Sequence, residues 1–87
     1  MKEKTWKLYV IQTKSGKLYT GITLDLEKRF NEHLHTKRGA KFFRTDRPKE
    51  IVFTENLPDR SFALKRESQI KKMSRAQKLN LVFSKKI

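Results

Sequence analysis

A short β-hairpin is written into the start of this chain, and it limits every arrangement that follows. Two runs of β-favouring residues, Trp6–Gln12 and Leu18–Ile22, flank the polar turn Lys14-Ser15-Gly16-Lys17. The glycine supplies the backbone freedom that a tight turn needs. Each run carries one tyrosine, Tyr9 and Tyr19, and the turn folds the second run back so that both can sit close on neighbouring strands. Because strand side chains alternate, Tyr9 shares a face with Ile11, and Tyr19 with Gly21. A glycine beside a tyrosine is expected to leave room for another backbone or a phosphate.

Downstream, Thr23 or Asp25 can cap a helix running to about Thr36, with Leu26, Phe30 and Leu34 as its buried stripe. Arg29 and His33 lie one turn apart on the flank of that stripe, expected to be half covered. Residues 37–49 read as a connection with six basic residues and one acid. There one of Phe42 and Phe43 is expected to plug the core rather than stack on a base. Glu50–Glu55, carrying Ile51-Val52-Phe53, reads as a third, well-covered strand. Asp59 then caps a helix from about Arg60 to Met73 whose apolar arc is Phe62, Ala63, Ile70 and Met73. Ser74-Arg75-Ala76-Gln77 fits a capping box that starts a last helix, with Leu79, Val82 and Phe83 packing back on the body. The expected fold is α+β: a small three-stranded sheet, mixed or antiparallel, packed with about three helices in the order ββ-α-β-α-α.

With 87 residues the chain is expected to form a single domain over its whole length, residues 1–87. The absence of cysteine excludes disulfides, thiolate chemistry and zinc ribbons. The start shows no apolar run long enough for a signal peptide, and no segment approaches membrane-spanning length. A soluble cytoplasmic protein is expected. Its charge is more telling: 22 Lys and Arg against 9 Asp and Glu give a formal +13. Such an excess repels itself in so small a body unless a polyanion offsets it, and nucleic acid is the first candidate. The residues expected to contact it are Lys17, Gly21, Lys37, Arg38, Lys41, Arg44, Lys65, Arg66 and Lys71.

Taken singly, the chemistry-bearing residues have plain readings. A strand tyrosine usually fills a core, an Arg29–His33 pair usually borders solvent, and Glu67 amid Lys65, Arg66 and Lys71 is most simply a surface ion-pair partner. His35 has no further support and reads as structural or exposed. Their joint occurrence in one basic chain points elsewhere. Phosphodiester hydrolysis needs an activated water, a group to hold charge on the phosphate, and help for the departing oxygen. Glu67 can hold a Mg²⁺ or Mn²⁺ that keeps most of its waters. Arg29 can lay a planar donor fork on non-bridging oxygens.

The pairing of Leu8-Tyr9-Val10 with Tyr19-Thr20-Gly21 resembles the two-part signature of the GIY-YIG nuclease superfamily. Arg29 follows the second tyrosine at that family's spacing, His33 follows one turn later, and Glu67 lies on a later helix, all in the family's order. Within the superfamily the chain is most similar to the small single-domain bacterial, UPF0213-like group, through Lys41-Phe42-Phe43-Arg44 before Arg47-Pro48 and through Ile70–Lys78. The resemblance implies a Mg²⁺-dependent endonuclease acting on DNA more than RNA, with structure-directed action in repair or recombination as the expected role. Tyr9 would deprotonate or orient the water, with nearby cations lowering its pKa, while His33 assists and Tyr19 orients water or phosphate. The alternative is a basic module that grips DNA or RNA without cutting. A separate protein partner for targeting fits either reading.

Overall fold

The computed structural model describes residues 5–35 and 39–83. Strands β1 (Trp6–Thr13) and β2 (Leu18–Thr23) form the hairpin, turned by Gly16 at φ 97°, where a side chain would be strained. After them come α1 (Leu26–His35), a single turn α2 (Phe42–Thr45), β3 (Pro48–Leu57), α3 (Arg60–Lys71) and α4 (Arg75–Phe83). The expected order therefore holds, with α2 as an added turn inside the segment read as a plain connection. The end expected for α1, Thr36, lies outside the described residues.

The sheet is antiparallel in the order β2-β1-β3, so the first strand of the chain is its centre. Leu8, Tyr9, Val10 and Ile11 are each no more than 1% exposed, which means β1 is covered on both faces. Alternation divides these residues between two cores. Leu8 and Val10 meet Ile70 of α3, with Phe53, Met73, Leu81 and Val82 around them. Tyr9 and Ile11 meet Phe43, with Tyr19, Leu26 and Phe30 around them. Helices α3 and α4 thus clad one face, and α1 with the α2 segment clads the other. Each large apolar side chain so buried stabilises the fold by roughly 1.5–3 kcal/mol. The tyrosines lie on the α1 side.

Local signals explain the helix starts. The Asp25 carboxylate accepts from the Lys28 N–H at 3.1 Å and Asp59 from the Phe62 N–H at 3.0 Å. Ser74 Oγ accepts from the Gln77 N–H at 3.2 Å while Gln77 Oε1 accepts from the Ser74 N–H at 2.9 Å, a reciprocal capping box.

Expectations about β3, α1 and the last two helices are corrected. Strand β3 is longer than six residues and lies at an edge, with no strand on its outer side among the described residues, and Ile51, Val52 and Phe53 are only half-buried. Its register against β1 shifts between Val10 and Ile11 and again between Gln12 and Thr13, irregularities that increase local twist. In α1 the buried residue is His33; Leu26, Phe30 and Leu34 are all half-buried, and of these Leu26 and Phe30 pack on the Tyr9 cluster. Phe62 and Phe83 are 55% and 47% exposed, so α3 closes on Ala63 and Ile70, and α4 on Leu81 and Val82. Among the described residues no helix is long and apolar enough to cross a membrane.

Candidate active site

The hairpin register sets Tyr9 opposite Gly21 and Ile11 opposite Tyr19. The Tyr9 phenol lies back across Gly21, where a Cβ would come within 2.5 Å of the hydroxyl oxygen. The room expected beside Gly21 is therefore filled by Tyr9 itself and is not open to a phosphate. Tyr19 stands diagonally, its ring centroid 6.4 Å from that of Tyr9. The His33 ring, brought in by α1, completes a triangle at 5.9 Å from Tyr9 and 5.6 Å from Tyr19. Phe43 closes the floor at 4.6 Å from His33 and 4.9 Å from Tyr19.

His33 is 2% exposed, not the half-covered flank residue expected. Burial first, and then the charge of Arg29, lower its pKa to about 4, so the ring is neutral near pH 7. The Ala40 backbone N–H donates to Nδ1 at 3.0 Å. With Nδ1 occupied as an acceptor, the ring proton sits on Nε2, 2.9 Å from the Tyr9 hydroxyl. His33 therefore donates to Tyr9, and the hydroxyl's own hydrogen is left to point elsewhere.

Tyr9 departs from expectation in its acidity. Burial chiefly, and then Tyr19, push its pKa up to about 12, while a hydrogen bond from Arg29 pulls the other way. One guanidinium does not offset burial of the phenol, so in the protein alone the cations fail to lower it. Arg29 also donates to Glu32 Oε1 at 2.9 Å, so its planar fork is shared between a carboxylate and the phenol.

Glu67 projects from α3, its side chain 18% exposed, with Lys71 Nζ 3.1 Å away. Its negative charge contributes, as the smallest influence, to raising the Tyr9 pKa. Among the described residues no group of three or more His, Cys, Asp or Glu side chains stands together to enclose a metal. A single, partly exposed carboxylate does fit a hard cation that keeps most of its waters and takes further oxygens from substrate.

The basic residues fall into different settings. Lys17, Lys41 and Arg44 are exposed around the hairpin turn and α2. Lys65 lies 5.9 Å over the Phe62 ring. Arg66 is tied to Glu55 at 2.8 Å and to Gln69 at 3.1 Å, and Lys71 to Glu67. Lys37 and Arg38 lie outside the described residues.

Asp46 was not anticipated. It accepts from Thr13 Oγ1 at 2.8 Å and from the Ser15 hydroxyl, while the Lys14 N–H donates to Arg47 O at 2.9 Å. These bonds latch the connection onto the hairpin turn, and the hydroxyls of Ser15 and Thr13 hold the Asp46 carboxyl below its usual pKa. The signal in the sequence was a lone acid among six bases.

A three-stranded sheet that sets two strand tyrosines beside a helical Arg–His pair, with one glutamate on a later helix, has the features of a nuclease-like domain. The GIY-YIG catalytic domain pattern matches residues 5–80, and the chain belongs to that family. It is 46% identical over 83 residues to the UPF0213 protein plu4503 of Photorhabdus laumondii, spanning 95% of this chain and 79% of that protein. It is 47% identical over 75 residues to a UPF0213 protein of Syntrophus aciditrophicus, covering 86% of each. The solution NMR structure of the UPF0213 protein BH0048 from Bacillus halodurans matches with a TM-score of 0.59 at 33% identity, over 90% of this chain and 82% of that one.

Proposed function

We propose that this chain is a divalent-metal-dependent endonuclease that hydrolyses DNA phosphodiester bonds, acting on particular DNA structures in repair or recombination. The observation that carries the reading is the directed hydrogen-bond path from the Ala40 N–H through His33 to the Tyr9 hydroxyl, with Arg29 bonded to the same oxygen.

In this mechanism Arg29 lays its guanidinium on the non-bridging oxygens of the scissile phosphate, where developing charge is held. Tyr9 first loses its own proton to solvent, and the resulting phenolate takes the proton of the attacking water. His33 keeps donating from Nε2, so the phenolate is stabilised as it forms, and Tyr19 orients water or phosphate. Glu67 would hold Mg²⁺ or Mn²⁺, which would supply positive charge for the phosphate and the departing oxygen. Tyr9 is protonated in the free protein, since its pKa lies near 12. Neutralising Glu67 removes one influence that raises that value. Activity is therefore expected to need the divalent ion and to climb with pH. The exposed cations Lys17, Lys41 and Arg44 grip flanking phosphates, and a separate protein supplies targeting.

The competing reading, a basic module that grips without cutting, draws on the same raised pKa. A gel cleavage assay separates them, using duplex, single-stranded, flapped and four-way-junction DNA with Mg²⁺ or Mn²⁺ against EDTA. Metal-dependent product, lost in Glu67→Ala and Tyr9→Phe while binding persists, is the expected result. Tight binding with no product on any substrate would demote the chain to the binding module.

A further inference from the structure

Beside the tyrosine cluster lies a surface of which the proposed function uses only Lys17. Phe42 is 37% exposed although its neighbour Phe43 is buried. Its ring is backed by Tyr19, centroids 5.4 Å apart, and by the edge of Phe43 at 5.4 Å and 88°. The open side of Phe42 borders a depression lined by Lys17, Leu18, Arg75 and Lys78. Three of those four side chains are cationic and none is acidic. The parts are held in place from both ends. Asp46 latches the α2 segment to Thr13 and Ser15, and Arg75 Nη2 donates to Gly16 O at 3.0 Å, joining α4 to the hairpin turn.

An aromatic ring fixed from behind, open in front and rimmed by cations suits a flat, anion-flanked ligand. We propose that Phe42 is a stacking platform for an unpaired nucleobase, with Lys17, Arg75 and Lys78 holding the flanking phosphates. Any base offers a π-face, so such a platform is tolerant of sequence, but a base inside a duplex has both faces covered by its neighbours. The ligand is therefore a single-stranded segment, flap or junction nucleotide. Tyr19 touches Phe42 as well as Tyr9 and His33, so the platform adjoins the catalytic cluster. The inference rests on the nucleic-acid half of the proposed function and not on hydrolysis.

The test is fluorescence anisotropy in EDTA, where nothing is cut, with a labelled single-stranded DNA, the same sequence as RNA, and the blunt DNA duplex. Phe42→Ala and the volume-keeping Phe42→Leu are expected to weaken single-strand binding about tenfold or more. Duplex binding should change less than about twofold, and Phe42→Trp should keep the single-strand affinity. Lys17→Gln and Lys78→Gln should each flatten the single-strand salt slope by about 0.7. Circular dichroism checks that each variant is folded. Equal weakening on single strand and duplex, or none on either, would overturn the platform. A platform that fails while metal-dependent cleavage persists leaves the nuclease reading standing. One that holds without any cleavage removes hydrolysis alone.

Discussion

The Tyr9 hydroxyl lies 2.9 Å from His33 Nε2, and the far nitrogen of the same ring accepts from the Ala40 backbone N–H. A protonated His33 would lose the second of these bonds, because Nδ1 would then carry a hydrogen facing another donor. The buried ring is thus built to stay neutral, which agrees with its pKa of about 4.

That arrangement has a consequence for stability. Unfolded, the imidazole takes up a proton near pH 6.5; folded, it does so only near 4. Between those values the unfolded chain binds more protons, so stability is fully present above about 6.5 and is lost as pH falls toward 4. The loss amounts to as much as about 3 kcal/mol for a shift of this size. Urea denaturation at pH 7 and pH 4.5 should show the drop in the wild type and a smaller one in His33→Gln. The same drop in both proteins would assign it to other groups.

Tyr9 behaves with the opposite sense. Its folded pKa, about 12, lies above the ordinary tyrosine value near 10. The folded state holds its proton longer, so stability present below pH 10 declines as pH rises through 12. The chain has two tyrosines, which makes the titration simple to assign. Ultraviolet absorbance should show a phenol ionising near 12 in the wild type and none there in Tyr9→Phe. A transition near 12 that survives in Tyr9→Phe would mean that Tyr9 is not the shifted group.

Much of this was legible beforehand, and the failures share one physical origin. Alternation and the turn glycine set the hairpin and bring its two tyrosines close on neighbouring strands. The order of elements followed from caps at Asp25, Asp59 and Ser74. The rotation of α1 was not legible: Leu34 fits the helical stripe as well as His33 does, and the choice depends on Tyr9 and the Ala40 N–H, which lie far away in sequence. An apolar run such as Ile51-Val52-Phe53 reads alike at a sheet's centre and at its edge. Adjacent phenylalanines announce that one turns inward, but not which. For Tyr9 the sequence counts the cations, whereas the phenol's acidity is governed mainly by its burial.

Gly21 tests whether the tyrosine ring is pinned as described. A methyl group there would meet the Tyr9 hydroxyl oxygen at 2.5 Å and the ring carbon bearing it at 2.6 Å. Both lie well inside van der Waals contact, and the buried ring has little room to retreat. Gly21→Ala should cost about 1–3 kcal/mol, the usual range for overpacking a closed site. In a Tyr9→Leu background, with the offending atoms gone, the same substitution should cost clearly less. Chemical denaturation of the four proteins measures the coupling. Strictly additive effects would mean that the phenol does not lie over Gly21.

Arg29 is the residue for which a conservative change is most informative. Its guanidinium serves two partners at once, Glu32 at 2.9 Å and the Tyr9 hydroxyl. Lysine preserves the charge but replaces a planar fork with a single ammonium, which cannot hold a carboxylate, a phenol and phosphate oxygens in one plane. Binding of DNA is set mostly by charge, so Arg29→Lys should bind within about twofold of the wild type. Cleavage under saturating substrate should fall about 100- to 1,000-fold, the cost of losing one preorganised donor. The pH profile offers a second readout. With the Arg29 hydrogen bond no longer drawing the Tyr9 pKa down, the rise of rate with pH should move to higher pH. Unchanged cleavage in Arg29→Lys would reduce Arg29 to a charge that any cation supplies, and equal loss of binding and cleavage would make it a gripping residue.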